Sequence, residues 1–311
     1  MHTIQPTAVV LDPTARNFLE QLAQAGGPAI HTLTPEAARE VLASAQSNPI
    51  LGYQTRVEQR DVPVGSQGSV SLRLVRPLAA DSELPVVLYL HGGGYIIGSS
   101  STHRGITGHL AKTTGCAIVT PDYRLAPEFP FPAALDDAEA CWNGLLEAGL
   151  KPDQIAVAGD SAGGGLSVAL AMRLRDKGLQ LPASLTAFSP WIDLTQEQLY
   201  APEIEPVLQA SWTSKAARLY AGKEPLTNPL ISPIFGDLSG LPPLLIQVGT
   251  QEILLNDAER LAEAASRNDV ETRLEVYNSL WHVFQVHSGQ LDRATAALET
   301  AGEHIKRHLA D

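Results

Sequence analysis

The chain has only two cysteines in 311 residues, Cys116 inside an apolar run and Cys141 in a helical pattern, and neither sits at a metal-ligand spacing. That excludes a disulfide-built scaffold and a cysteine-based metal centre, and both residues read as small core side chains. Basic runs and stripes are missing too: 22 Lys and Arg stand against 34 Asp and Glu, a formal net charge of −12. This balance argues against nucleic acid as a partner and leaves neutral or hydrophobic small molecules as the better fit. No stretch reaches the roughly 18 consecutive apolar residues of a membrane span. The N-terminal segment carries Asp12, Arg16 and Glu20 and lacks the apolar core of a secretory signal, so a cytoplasmic protein is expected. Internal repeats and low-complexity tracts are absent as well.

What is present suits one large globular unit, since 44% of the residues are hydrophobic. Residues 1 to about 50 read as helices broken by turns, Pro13 to Leu22 and then Thr34 to Leu42, the second with Thr34 as N-cap and Pro35 at the first helical position. Two segments, Thr55 to Val62 and Val70 to Arg76, alternate like an antiparallel pair with one wet face. Short continuous apolar runs follow, separated by helix-like segments: Val86–Leu90, Cys116–Thr120, Ile155–Ala158, Leu185–Phe188, Leu244–Val248 and Thr272–Tyr277. That pattern predicts an α/β fold with a mostly parallel sheet covered on both faces. Residues about 195 to 225 break the alternation with helical spacing and no strand, an insertion long enough to cover the functional edge of the sheet. The last helix is expected over about 289 to 309.

Ligands of open parallel sheets bind beyond the carboxyl ends of the strands. There the run Ile155 to Ala158 leads into Gly159-Asp160-Ser161-Ala162-Gly163 and then an apolar helical stretch. A serine on a sharp strand-to-helix turn leaves no room for side chains on its neighbours, hence the two flanking glycines, and its hydroxyl stands at a helix N-terminus that favours negative charge. Ser161 is therefore the candidate nucleophile. After Val86–Leu90 comes His91-Gly92-Gly93-Gly94-Tyr95, whose glycines let bare N–H groups approach a reacting centre. Gly93, Gly94 and Ala162 are the predicted oxyanion donors. The run lacks the Gly-Lys-Ser/Thr ending of a phosphate loop. His91 reads as a supporting hydrogen-bonding group.

A serine hydroxyl needs an imidazole base oriented by an acid, and in strand-turn-helix hydrolases the order is Ser, acid, His. His282, just beyond Thr272–Tyr277, is favoured over His287, while His304 and His308 in the last helix are expected to face solvent or the helix C-terminus. For the acid, Glu252 lies nearest the end of Leu244–Val248. Asp257 is the alternative, but Asn256 and Glu259 resemble a capping box that makes Asp257 a first-turn residue.

These residues resemble the hormone-sensitive-lipase group of α/β-hydrolases, the bacterial family IV carboxylesterases. The resemblance covers most of the chain: His91 to Tyr95, Asp122-Tyr123-Arg124-Leu125-Ala126-Pro127-Glu128, Phe131 to Asp137, Gly159 to Gly164 and Ser189-Pro190-Trp191-Ile192-Asp193-Leu194. It implies a single α/β-hydrolase domain over 1–311, an eight-stranded, mostly parallel twisted sheet flanked by helices, with a cap from about 1–50 and about 195–225. It makes Ser161 the nucleophile, His282 the base and Glu252 the acid where most members carry aspartate, with Arg124 paired to Glu128 beneath. The implied reaction is hydrolysis of short-to-medium acyl esters of small molecules, with no metal and no organic cofactor. Tyr95, Trp191, Trp212 and Phe284 are expected to line the site, and a homodimer is allowed. An amidase or a lactonase would use the same groups, and a ligand-binding protein on the same fold is the rival from another class.

Overall fold

The short apolar runs of the sequence become strands of one sheet, and the segments between them become its covering helices. The computed structural model describes residues 13–24, 30–45, 55–63, 69–78 and 84–310. The N-terminal region supplies helices α1 (Pro13–Gln24) and α2 (Pro35–Ala45) and strands β1 (Thr55–Pro63) and β2 (Ser69–Pro77). Next come β3 (Val86–Leu90), α3 (Arg104–Thr114), β4 (Ala117–Pro121), α4 (Ala133–Glu147), β5 (Ile155–Asp160) and α5 (Ala162–Asp176). The remainder is β6 (Leu185–Phe188), α6 (Ala210–Ala221), β7 (Leu244–Gln251), α7 (Leu255–Arg267), β8 (Thr272–Trp281) and α8 (Asp292–His308). Of the N-terminal helical region read from sequence, residues 1–12, 25–29 and 46–50 lie outside the described residues.

The sheet has eight strands in the order β1-β2-β4-β3-β5-β6-β7-β8. β1 with β2 and β2 with β4 run antiparallel, and every other pairing is parallel. Successive side chains on a strand point to opposite faces, so one apolar run feeds two cores. In β3, Val86, Leu88 and Leu90 join the core under α4, α5 and α7, whereas Val87 and Tyr89 join the core under α3 and α8. This two-sided burial explains why the central strands read as unbroken apolar runs.

Parallel pairing sets the carboxyl ends of β3, β5, β6, β7 and β8 along one edge, with Leu90 paired to Gly159, Gly159 to Ala187, Phe188 to Gln247 and Gly249 to Tyr277. β8 runs on to Trp281 rather than ending in a loop after Tyr277, because Ser279 takes a positive φ of 62° and the register shifts between Gly249 and Gln251. That bulge absorbs one irregularity and lets the strand deliver its next residue, His282, to the edge.

The N-terminal helices dock in two places. From α1, Ala15, Phe18 and Leu19 pack on Trp281, Phe284 and the start of α8. α2 is pinned by Arg39, which donates to Ile96 O and Ala126 O and forms a bidentate pair with Glu128, each contact at 2.8 Å. Among the described residues, no helix is long and apolar enough to cross a membrane. Cys116 and Cys141 are both buried free thiols.

Candidate active site

Ser161 sits between β5 and α5 with φ 53° and ψ −121°, a strained conformation for a residue with a side chain. Its surroundings hold it there: Ser161 N–H donates to Phe188 O at 2.8 Å, and its carbonyl accepts from Gly165 N–H at 3.1 Å and Trp191 N–H at 2.9 Å. The tight turn explains the glycines. A Cβ on Gly159 would overlap the Gly163 carbonyl, and one on Gly163 would overlap the Leu90 carbonyl. As the first residue of α5, Ala162 has an N–H without an intrahelical acceptor.

Glu252 directly follows β7 and His282 directly follows β8, and both are brought to Ser161 across the sheet edge. His282 Nε2 lies 2.9 Å from Ser161 Oγ, and Nδ1 lies 2.9 Å from Glu252 Oε2. A carboxylate accepts only, so Nδ1 carries the proton and Nε2 presents its lone pair to the serine hydroxyl. Burial is the strongest influence on His282 and pushes its pKa down. The hydrogen bond and charge of Glu252, with help from Glu205 and Asp160, outweigh it, and the net shift is upward. All three side chains are almost wholly buried.

The candidate acid is itself held. Glu252 Oε1 accepts from Gly249 N–H at 2.6 Å and from the Ser189 hydroxyl at 2.8 Å, while Ser189 Oγ accepts from Val283 N–H at 3.0 Å. Ser189, just after β6, therefore ties Glu252 to the residue after His282. Its sequence signal was the Ser-Pro-Trp run, which carries no hint of that contact. Glu205, from the segment before α6, is a second residue the sequence hid. Its carboxylate accepts from Val207 N–H at 2.8 Å and Ile253 N–H at 3.1 Å, anchoring that segment beside the acid.

On the opposite side, Gly93 and Gly94 take φ of 115° and 60° after β3, conformations that favour glycine. Trp212 and Ala216 of α6 lie against Gly94, where an added Cβ would meet the Trp212 ring at 2.8 Å. Tyr95 stacks on Tyr220 of α6 with centroids 3.6 Å apart and lies 6.3 Å from Trp191. Phe284 does not join this group. It is fully buried with Trp281, Leu291 and Ala294, a core aromatic rather than a lining one.

Several sequence expectations are corrected. Arg124 pairs with Asp137, at 2.7 Å, and Glu128 pairs with Arg39 instead. Residues 124–128 are not helical, so side chains four apart do not share a face. The capping box at Asn256 does not form, because α7 begins two residues earlier, with Leu254 as its N-cap; Asn256 Nδ2 donates instead to Gln198 O at 3.0 Å. His304 is buried and donates through Nε2 to Leu185 O at 3.2 Å rather than facing solvent. His287 packs on Phe18 and Trp281.

Asp257 is the first-turn residue expected, but it is buried, and its Oδ2 accepts from Ile192 N–H and Asp193 N–H, each at 3.0 Å. Burial pushes its carboxyl up to about 7 against those donors and Arg260. Because the folded form holds this proton more tightly than the unfolded chain, the group costs stability as pH rises from 3.8 to about 7. Asp257→Asn keeps an oxygen for both N–H groups and removes the charge. It is expected to change the barrier by less than about 1 kcal/mol, roughly fivefold in kcat/KM, and to flatten that fall in stability. Kinetics and urea unfolding at pH 5 and pH 8 check both parts, and a loss of several hundredfold in kcat/KM would make Asp257 the orienting acid.

The likenesses to known proteins agree with this layout. Residues 87–286 match the family model described as alpha/beta hydrolase fold. An acetyl-hydrolase of Streptomyces hygroscopicus is 40% identical over 243 residues, 77% of this chain and 80% of that protein. An esterase of Acinetobacter venetianus is 35% identical over 229 residues, 72% of this chain and 76% of its own length. The crystal structure of an esterase from the bacterial hormone-sensitive lipase family superposes with a TM-score of 0.88 at 36% identity, covering 97% of this chain and 100% of that one. A family match over most of the chain, with whole-length structural likeness at this identity, shows that the chain belongs to the α/β-hydrolase family, in its bacterial hormone-sensitive lipase branch.

Proposed function

We propose that the protein is a serine carboxylesterase acting on short-to-medium acyl esters of small molecules. The observation that carries this reading is the continuous hydrogen-bonded line from Glu252 through His282 to Ser161, ending beside the Gly93–Gly94 turn and the first N–H of α5. In the first half-reaction Ser161 Oγ attacks the ester carbonyl carbon and passes its proton to His282 Nε2. Glu252 steadies the imidazolium that forms. The N–H groups of Gly93, Gly94 and Ala162 receive the oxyanion, an interaction for which loss of one donor typically costs about 2.7–4 kcal/mol of barrier. Collapse of the intermediate breaks the bond to the alcohol, which leaves with the proton from Nε2. Water then attacks the acyl-serine by the same sequence and releases the carboxylic acid.

The preference for shorter acyl groups is supported by the seating of α6. With Trp212 and Ala216 against Gly94, the helix closes the space above the oxyanion turn. On this reading α1, α2 and the 195–225 segment form the cap.

The test is a stopped-flow assay with p-nitrophenyl esters from acetate to dodecanoate, together with organophosphonate labelling and mapping of the modified residue. A burst of one equivalent, steady turnover, a rate maximum below about ten carbons and a phosphonate on Ser161 are the expected results. Stoichiometric ligand binding without turnover would defeat the esterase reading, and a maximum at dodecanoate would defeat the chain-length preference.

A further inference from the structure

Behind the oxyanion turn lies a buried set of ionisable side chains that the hydrolytic steps do not use. Asp160 immediately precedes the nucleophile. Its Oδ1 accepts from Gly92 N–H at 3.0 Å and from the Tyr89 hydroxyl at 2.7 Å, and its Oδ2 faces His103 Nε2 at 3.3 Å. One carboxylate thus links the residue before Ser161 to the residue before Gly93. The approach is so close that a Cβ on Gly92 would overlap Asp160 Oδ2.

His103 stands just before α3, with Nδ1 3.1 Å from Ser99 O and 2.9 Å from Thr102 Oγ1. The Thr102 hydroxyl donates its single proton to Ser99 O at 2.9 Å and accepts from Ser99 N–H at 3.0 Å, so toward His103 it can only accept. Nδ1 therefore meets acceptors alone, and Nε2 meets a carboxylate. A neutral imidazole has one N–H and would leave the other nitrogen's lone pair against an acceptor's; only the imidazolium satisfies both sides.

We infer that His103 is a buried imidazolium that acts as a positioning residue, clamping Asp160 and, through the Asp160 bond to Gly92 N–H, holding the oxyanion turn against Ser161. The positioning role rests on the proposed esterase function, whereas the protonation state does not. The groups facing His103 are consistent with the charge. Asp160 reaches it from β5, Tyr89 from β3, His91 from just after β3 and Asp122 from just after β4, with the Asp122 carboxylate taken up by Ser100 N–H at 2.6 Å and its hydroxyl at 3.0 Å. The His91 ring lies 5.4 Å from it with the planes 29° apart, and donates through Nδ1 to Gly92 O at 2.8 Å. Burial, and then the nearby His103 charge, lower His91 to about 3, so that ring stays neutral.

For His103 itself burial is the largest influence and opposes the charge, but Asp160, the Ser99 carbonyl and Asp122 reverse it and the net shift is upward. Asp160 is the mirror case: burial would raise its pKa, but His103 and the Tyr89 hydroxyl bring it down. The sign for His103 follows directly. Its contribution is complete below the ordinary value of 6.5 and is lost as pH rises through the higher folded value.

The test uses the full-length protein labelled with 15N-histidine, with the His103 ring assigned in the wild type by its through-space contacts to Tyr89 and His91 and checked against H103Q. At pH 7 both His103 ring nitrogens are expected at imidazolium shifts, titrating only above the ordinary histidine range. In kinetics, H103Q is expected to lower kcat about tenfold with KM nearly unchanged, and to lack the alkaline fall in kcat that the wild type shows as His103 deprotonates. One bare ring nitrogen on His103 at pH 7 overturns the inference, a reading on the wild type that stands even if H103Q folds poorly. An H103Q enzyme that keeps the wild-type alkaline limb overturns the positioning role. A wild type that turns over no ester defeats the proposed function and the positioning role with it, while the nitrogen shifts still decide the charge.

Discussion

Ser161→Ala is expected to lower kcat for a p-nitrophenyl ester by about six orders of magnitude, the scale seen when the nucleophile of such a unit is removed. Alanine keeps the Cβ and so faces the same backbone strain at φ 53°, while the hydrogen bonds from Ser161 N–H to Phe188 O and from Trp191 N–H to Ser161 O involve only the main chain. The turn should survive, and circular dichroism should be unchanged. What goes is the one oxygen placed 2.9 Å from His282 Nε2, while the proposed oxyanion donors are main-chain groups. The donors remain, so residual rate over water of about 10³–10⁴ is expected. Because base and nucleophile act as one unit, adding His282→Ala to Ser161→Ala should cost almost nothing more. Single-turnover kinetics on the two variants and their combination measures this. A loss under a hundredfold in Ser161→Ala would show that the nucleophile lies elsewhere.

Glu252→Gln carries the second largest expected effect, a loss of about 10⁴ in kcat. The contacts fix how the amide must sit. Gly249 N–H and the Ser189 hydroxyl both donate to the Oε1 position, and Gly249 N–H, a donor only, must meet an oxygen there. The glutamine oxygen takes that side, and its NH₂ is turned toward His282 Nδ1. Nδ1 must then accept, so the ring proton moves to Nε2, where it faces Ser161 Oγ and cannot receive the hydroxyl proton. Removing the carboxylate charge also removes the main influence that raises the His282 pKa, so the acid limb of kcat/KM should move to lower pH. A pH–rate profile compared with Asp257→Asn is the measurement. Equal losses in the two variants, or an unmoved acid limb in Glu252→Gln, would contradict the assignment.

The two carboxylates illustrate where sequence reading stops. Both follow β7, both are acidic and buried, and they are five residues apart. Position in the loop favoured Glu252, but what separates them is direction: Glu252 points along the edge to His282, whereas Asp257 has entered the helix and turned to Ile192 and Asp193. Arg124 and Glu128 show the same limit from the other side. The family resemblance implied a pair, but Arg39 is 89 residues from Glu128 and reaches it because α2 is laid across the turn.

Some things the amino-acid order decided unaided. Apolar runs of strand length alternating with helical segments impose a two-sided parallel sheet, because each run must bury both of its faces. The glycines around Ser161 and after His91 mark turns that a side chain would block, a steric rule that acts within a few residues. Everything that depends on strand order was decided by the tertiary structure. Ser161 and His282 are 121 residues apart in the chain, and they meet because β5, β6, β7 and β8 are laid side by side with their ends aligned. The same alignment gives Glu252 its two donors, and the neighbouring β3–β5 pair sets Gly92 against Asp160 and Asp160 against His103. Local periodicity and turn sterics are written along the chain, whereas hydrogen-bond partners across a sheet edge exist only once the strands have chosen their neighbours.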